Sequence, residues 1–409
     1  MRDRGLYEKI LGLPAPWHVE DVELRDDTRE VIVKVALRRP LELICPECGE
    51  VMGGYDHRRR SWRHLDTCQY KTIIEAEVPR GKCPTHGVRQ VEVPWAEERS
   101  RFTALFEALA IDWLRETSQL AVARRLQLTW AEVHGIMDRA VARGLARREQ
   151  EVIPFLGIDE TSFQKRHEYV TVVCDLGKPR ALYIGDGRSR DSLDGFYESL
   201  TPEQLEGIEA VAMDMWEPYI RSTHAWVPGA EAKIVYDKFH VVAHLLKALD
   251  DVRKQEHRHL IKQGDTTLTG TKYLWLQSKK RFDRDTWLDF AHVRDSSLQT
   301  ARAWAINDAF SHFWTYVYLG PARKFFERWY SWAIRSRLEP IKKVARMLKA
   351  RLDNILTYLT HRITNAVAEG LNAKIQWIKR TARGFGNRAN FRTAILFHCG
   401  GLDLYPHGI

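Results

Sequence analysis

Cysteine is scarce. Six residues in 409 are too few for the disulfide framework of a secreted scaffold. No run approaches 18 apolar residues, which excludes a membrane-spanning helix. The stretch from Met1 to Leu24 carries charges throughout and has no apolar core, so it does not read as a secretory leader. Internal repeats, low-complexity tracts and long disordered linkers are missing too. What is present is a chain with 44% hydrophobic residues, able to bury a large core over about two to four domains. Lys and Arg number 63 against 54 Asp and Glu, a net charge of +9. Alone, that total gives weak evidence for a polyanionic partner.

The distribution of charge is more informative. Residues 1–100 have a net charge of −1 and residues 101–150 of +2. Residues 151–240 fall to −7, residues 241–335 rise to +6, and residues 336–409 reach +9. An acidic block that binds cations, followed by a basic surface, suits an enzyme acting on phosphodiesters. Two unrelated surfaces would give the same numbers.

Periodicity divides the chain further. Val31–Leu37, Thr72–Val78 and Gln90–Val93 alternate and are β-branched, which predicts strands. Phe102, Leu105, Phe106, Leu109, Trp113 and Leu114 fall at helical spacing. Phe155–Glu160, Tyr169–Cys174 and Ala181–Ile184 read as successive strands, with a helix at about Asp191–Leu200. Ala210–Asp214 and Ala232–Asp237 are short apolar runs, each ending in Asp, as in the buried strands of a covered sheet. From Lys238 to about residue 380 the pattern is helical, with breaks expected at Pro321, Pro340 and between Gly264 and Gly270.

Three groups of residues carry chemistry. Cys45-Pro-Glu-Cys48-Gly and Cys83-Pro-Thr-His86-Gly are two knuckles with metal-ligand spacing, predicting one structural Zn²⁺ on Cys45, Cys48, Cys83 and His86. Cys68 has no partner at that spacing. Ser118–Leu126, a Gln127-Leu128 turn and Thr129–Arg143 have the pattern of a helix-turn-helix, the second helix opening on a Thr129–Glu132 capping box. Ala121, Ala123, Leu126, Val133 and Ile136 are its packing positions. Trp130, His134, Arg139 and Arg143 are its candidate DNA contacts, with Arg147 and Arg148 trailing. Any αα-hairpin shares this pattern.

The third group is acidic. Asp159 lies inside a strand, where a charge needs a partner or a metal, and Asp214 ends a later one. Composition alone does not choose among Asp159, Asp175, Asp186, Asp214 and Asp237, since strand-end Asp residues commonly begin turns. Glu369 is the only acid between Asp353 and Asp403. It shares a helix face with Asn372, Gln376 and Arg380, opposite Val367, Leu371, Ile375 and Ile378. Lys374, Lys379, Arg380 and Arg383 surround it as salt-bridge partners or as phosphate contacts.

With these residues in view the chain resembles the DDE transposases of bacterial insertion sequences, of the ISL-three type, over residues 11–408. The likeness rests on both knuckles, Arg63-His-Leu-Asp66, Val93-Pro-Trp95, Gly157-Ile-Asp-Glu160, Met213-Asp214-Met, Tyr236-Asp-Lys-Phe-His240-Val, Ile363-Thr-Asn365, Glu369-Gly-Leu-Asn372-Ala-Lys-Ile375 and Gly384-Phe-Gly-Asn387. Gly386 departs from the Arg often found there.

The resemblance implies a multidomain α/β protein. A β-rich zinc ribbon (1–100) and a helix-turn-helix (101–150) would precede a ribonuclease-H-like mixed sheet. That core (151–244 and 356–409) would be interrupted by an all-helical insertion (245–355). Most of the insertion's tryptophans, Trp275, Trp287, Trp304, Trp314, Trp329 and Trp332, are expected to form its own core. The catalytic triad maps to Asp159, Asp214 and Glu369, holding two Mg²⁺ or Mn²⁺ ions, with Asp237 and His240 beside it. Expected partners are double-stranded DNA, both terminal inverted repeats and target, and further copies of the chain in a homodimer or larger paired-end complex. The expected setting is the bacterial cytoplasm, at the nucleoid. Two rival readings are a transposase-derived regulator without catalysis and a metal-dependent nuclease without strand transfer.

Overall fold

A computed structural model of the chain describes residues 3–38, 42–164, 168–277, 282–294 and 298–407; Gly408, where the resemblance ends, lies outside them. The chain divides into two compact units. One comprises Met1–Glu149 with Thr381–Arg383 and Leu396–Ile409, the other Gln150–Arg380 with Gly384–Ile395.

The first unit is built on a six-stranded sheet. Its strands are β1 (Trp17–Arg25), β2 (Glu30–Leu37), β3 (Leu43–Ile44), β4 (Val51–Thr67), β5 (Tyr70–Cys83) and β6 (Gly87–Gln90), in the order β1-β2-β5-β4-β3 with β6 on β5. Val31, Val33 and Val35 of β2 and Ile74, Ala76 and Val78 of β5 alternate into the core, as period two requires. Trp17 and Trp62 meet Trp95 edge-on at 4.8 and 5.3 Å. The strand expected at Gln90–Val93 instead ends at Gln90. Three helices follow: Ala104–Glu116, Gln119–Leu126 and Trp130–Ala146. Thr103, Ser118 and Thr129 cap them, and Thr129 and Glu132 form the expected capping box. Between the last two helices Gln127 takes a left-handed conformation, φ +53°. Val122, Ala123, Val133, Ile136 and Met137 close the packing between them.

The second unit contains a five-stranded mixed sheet: β7 (Phe155–Gln164), β8 (Glu168–Asp175), β9 (Arg180–Asp186), β10 (Ala210–Met213) and β11 (Ile234–Tyr236). The order is β11-β10-β7-β8-β9. β7, β8 and β9 pair antiparallel, whereas β10 runs parallel to both β7 and β11. Every residue of β10 and β11 is buried, which is why they read as unbroken apolar runs.

A helical stretch begins directly after β11. Its longest helix is Lys238–Lys262, packed by Gln299–Phe310 and Glu339–Ala350. Trp275, Trp304 and Trp329 are buried with Phe290, Phe310, Phe313 and Phe326, whereas Trp332 is exposed. The breaks expected at Pro321 and Pro340 fall just before these residues, between Thr315 and Leu319 and between Arg335 and Glu339. Each proline sits in the first turn of the helix it opens, Leu319–Arg335 and Glu339–Ala350, where its missing N–H costs nothing. The helix Ala366–Thr381 then returns the chain to the sheet.

Candidate active site and zinc centre

Strand register brings the acids together. Ala212 of β10 pairs with Gly157 of β7, and Met213 pairs with Tyr236 of β11. Continued along parallel strands, this sets Asp159, Asp214 and Asp237 level on three neighbouring strands. Side chains two residues apart share a face, so the alignment follows from the pleat. The Asp237 N–H still donates to the Met213 carbonyl at 3.2 Å.

Asp159 is held on both oxygens. Oδ1 accepts from the Glu160 N–H at 2.8 Å, and Oδ2 accepts from Asn372 Nδ2 at 2.7 Å. Burial pushes its carboxyl up to about 6. Asp214 Oδ1 lies 2.7 Å from His240 Nδ1, and that hydrogen bond raises the imidazole to about 9. Asp237 caps the helix Lys238–Lys262, accepting from the Phe239 N–H at 3.3 Å, and burial raises its carboxyl.

Glu369 arrives from the helix Ala366–Thr381, whose polar face is zipped to β7. Asn365 Nδ2 donates to the Ile158 carbonyl at 3.2 Å, and Gln376 Nε2 donates to Thr161 Oγ1 at 2.7 Å. Gly157 makes room: a Cβ there would sit 2.9 Å from Asn365 Oδ1 and 2.8 Å from Cys174 Sγ. Glu369 is exposed, and its carboxylate clusters with Asp237 and His240, ligand atoms within 4.8 Å of one another. The arrangement offers hard oxygen donors on a rigid sheet, suited to divalent cations. The buried Asp237 Oδ2, with no hydrogen-bond partner, fits a missing cation. Arg188 was not anticipated. It approaches Glu160 at 3.4 Å and lies over Tyr169 and the exposed Trp216 at 4.6 and 4.9 Å.

The four expected zinc ligands converge. Cys48 Sγ lies 3.6 Å from Cys83 Sγ, and His86 Nδ1 lies 3.6 Å from Cys83 Sγ and 3.8 Å from Cys45 Sγ. Ligands about 2.0–2.3 Å from a tetrahedral ion are spaced about 3.5–3.8 Å apart, so the set fits zinc. Gly49 and Gly87 turn the chain after each knuckle at φ +74° and +71°. Cys68 stays outside the cluster.

The predicted DNA contacts divide. Trp130 is exposed and stacks on His134 at 4.8 Å, with His134 Nε2 3.3 Å from Asp138. Lys374, Arg380 and Arg383 are exposed. Arg143 is buried, and its guanidinium pairs with Glu97 at 2.7 Å and Glu107 at 3.1 Å. Arg139 pairs with the buried Glu107 at 2.5 Å. Both arginines are corrected to internal partners, because Glu107 would otherwise be a buried unpaired charge. Arg147 bonds to Asp403 and the Tyr405 carbonyl, and Arg148 to the Gly400 carbonyl. Lys379 is likewise turned inward, donating to the Ser162 carbonyl at 2.7 Å.

A mixed sheet with carboxylates level on neighbouring strands and a helix bearing a further acid is compatible with a DDE-type transposase, an enzyme of metal-dependent DNA cleavage and strand transfer, and similarity to known proteins supports that class. A family model described as transposase, of the ISL3 type, matches residues 156–395. The helix-turn-helix domain of transposase family ISL3 matches residues 91–141, and the zinc finger of the IS204/IS1001/IS1096/IS1165 transposases matches residues 42–86. The chain belongs to the ISL3 transposase family.

It is similar to the transposase for insertion sequence element IS1001 of Bordetella parapertussis, 28% identical over 96% of this chain and 97% of that one. It is equally similar to the transposase for insertion sequence element IS1557 of Mycobacterium tuberculosis, 28% identical over 94% of this chain and 93% of that one. The ribbon supports a structural zinc ion, and the DDE class implies divalent metal in the core.

Proposed function

We propose that the protein binds the terminal inverted repeats of an insertion sequence, cleaves its ends and joins them to target DNA. Asp159, Asp214 and Glu369 would hold two Mg²⁺ or Mn²⁺ ions. Those ions would activate the attacking oxygen and offset charge on the leaving oxygen. The level placement of Asp159 and Asp214 on adjacent strands, with the Glu369 helix bonded to β7, carries this reading.

The side chains have distinct tasks. Asn372 orients the Asp159 carboxylate. In cleavage, a water oxygen bonds to phosphorus and the P–O3′ bond at the element end breaks, leaving a 3′-hydroxyl. In joining, that 3′-hydroxyl attacks a target phosphodiester and displaces the target's own 3′ oxygen. No bond to the protein is needed. The zinc ribbon and the Trp130–His134 surface read the ends, while Lys374, Arg380 and Arg383 hold phosphates without reading sequence. Pairing two ends calls for a dimer or larger assembly. Asp237 and His240 adjoin the triad.

The test is a joining assay with the full chain, Mg²⁺, DNA carrying the repeats that flank the gene, and a target plasmid. Covalently joined products are expected. Nicked ends without joined products would reduce the reading to a nuclease, and intact ends to a DNA-binding regulator.

A further inference from the structure

We propose that Asp237, His240 and Glu369 together form a cation site of their own, taking Mn²⁺ in preference to Mg²⁺. The core would then hold its two ions on five side chains rather than three. This rests on the two-ion reading above and changes which residues carry the second ion.

Four observations support it. Asp237 is level with Asp214 in the β10–β11 register, so it belongs to the same row of acids. It is only 1% exposed, yet its Oδ2 has no hydrogen-bond partner among the described residues. Leaving a carboxylate oxygen dry and unpaired is costly, and a cation removes the cost.

The ligand atoms of Asp237, His240 and Glu369 lie within 4.8 Å of one another. Ligands about 2.1 Å from one ion lie about 3.0 to 4.2 Å apart, so the three groups are near enough to close on a single ion. His240 is also prepared as a ligand. Its Nδ1 bonds to Asp214 at 2.7 Å, the carboxylate–imidazole pairing that orients metal-bound histidines, so an ion would be taken at Nε2 by displacing its proton.

The second oxygen of Asp214 then serves the other ion, alongside Asp159. His240 thus joins the two halves of the site. A nitrogen among the donors favours Mn²⁺, because Mg²⁺ prefers oxygen alone.

The experiment uses the full chain loaded with zinc, so that His86 is engaged, and titrates it with Mn²⁺ under electron paramagnetic resonance. Two bound Mn²⁺ are expected, one showing ¹⁴N coupling in its electron spin-echo. Asp237→Asn keeps the helix cap, since Asn caps as well as Asp. It should weaken one ion roughly tenfold or more. His240→Gln should abolish the nitrogen coupling.

Absence of ¹⁴N coupling in the unmodified protein would overturn the proposal, leaving the three-carboxylate reading intact. So would unchanged binding of both ions by Asp237→Asn. A protein that binds no Mn²⁺ at all would overturn both.

Discussion

Asn372 bonds across the site from a helix to a strand carboxylate. Asn372→Ala would leave Asp159 free to rotate. The cleavage rate should fall about 10- to 100-fold with DNA affinity unchanged, measured by single-turnover nicking beside a binding titration.

His64 makes a different prediction. It is buried at 3% exposure, contacts Thr103 at 2.9 Å, and burial near Arg63 pushes it down to about 4. Its contribution to stability is therefore complete above the unfolded value of about 6.5 and is lost as pH falls towards 4. Urea unfolding of wild type should lose on the order of 3 kcal/mol across that window beyond what His64→Gln loses. Single residues were unevenly legible in sequence. Glu369 was marked by isolation among cations, and Asp159 by its place inside a strand. Arg139 and Arg143 were misread, because spacing places an arginine on a helix but does not reveal a buried glutamate from another helix.

Elements with strong local rules were the most legible. The capping box at Thr129 and the apolar runs of β10 and β11 stand where they were expected. β4 was missed because Gly53 to Arg59 is exposed and polar, with no alternation to read. Its length comes from pairing with β5, a long-range property. The helix pair depends on another such contact. Glu107 is 1% exposed and accepts from both Arg139 and Arg143. Glu107→Gln removes the charge that both guanidinia face, and should cost about 3–5 kcal/mol in chemical denaturation. A loss under about 1 kcal/mol would show that these pairs behave as surface salt bridges.

At the scale of the whole molecule, the scarcity of cysteine sharpened into a purpose. Three of the six sit with His86 in one cluster, and Cys68, Cys174 and Cys399 stand outside it. The charge sum resolved in the same way, into an acidic sheet that gathers Asp159, Asp214 and Asp237 and a basic chain around Glu369. The order of the parts was visible in sequence, since each has its own periodicity. The packing of Leu396–Ile409 with the first unit was not, because Arg143, Arg147 and Arg148 reach it across about 250 residues of chain.

The central claim is that Glu369 completes a catalytic centre with Asp159 and Asp214. Its most direct test is a Mg²⁺-dependent nicking assay of Glu369→Gln on DNA bearing the element ends, beside a binding measurement on the same DNA. The account predicts undetectable nicking with unchanged affinity. Nicking at the wild-type rate would contradict it.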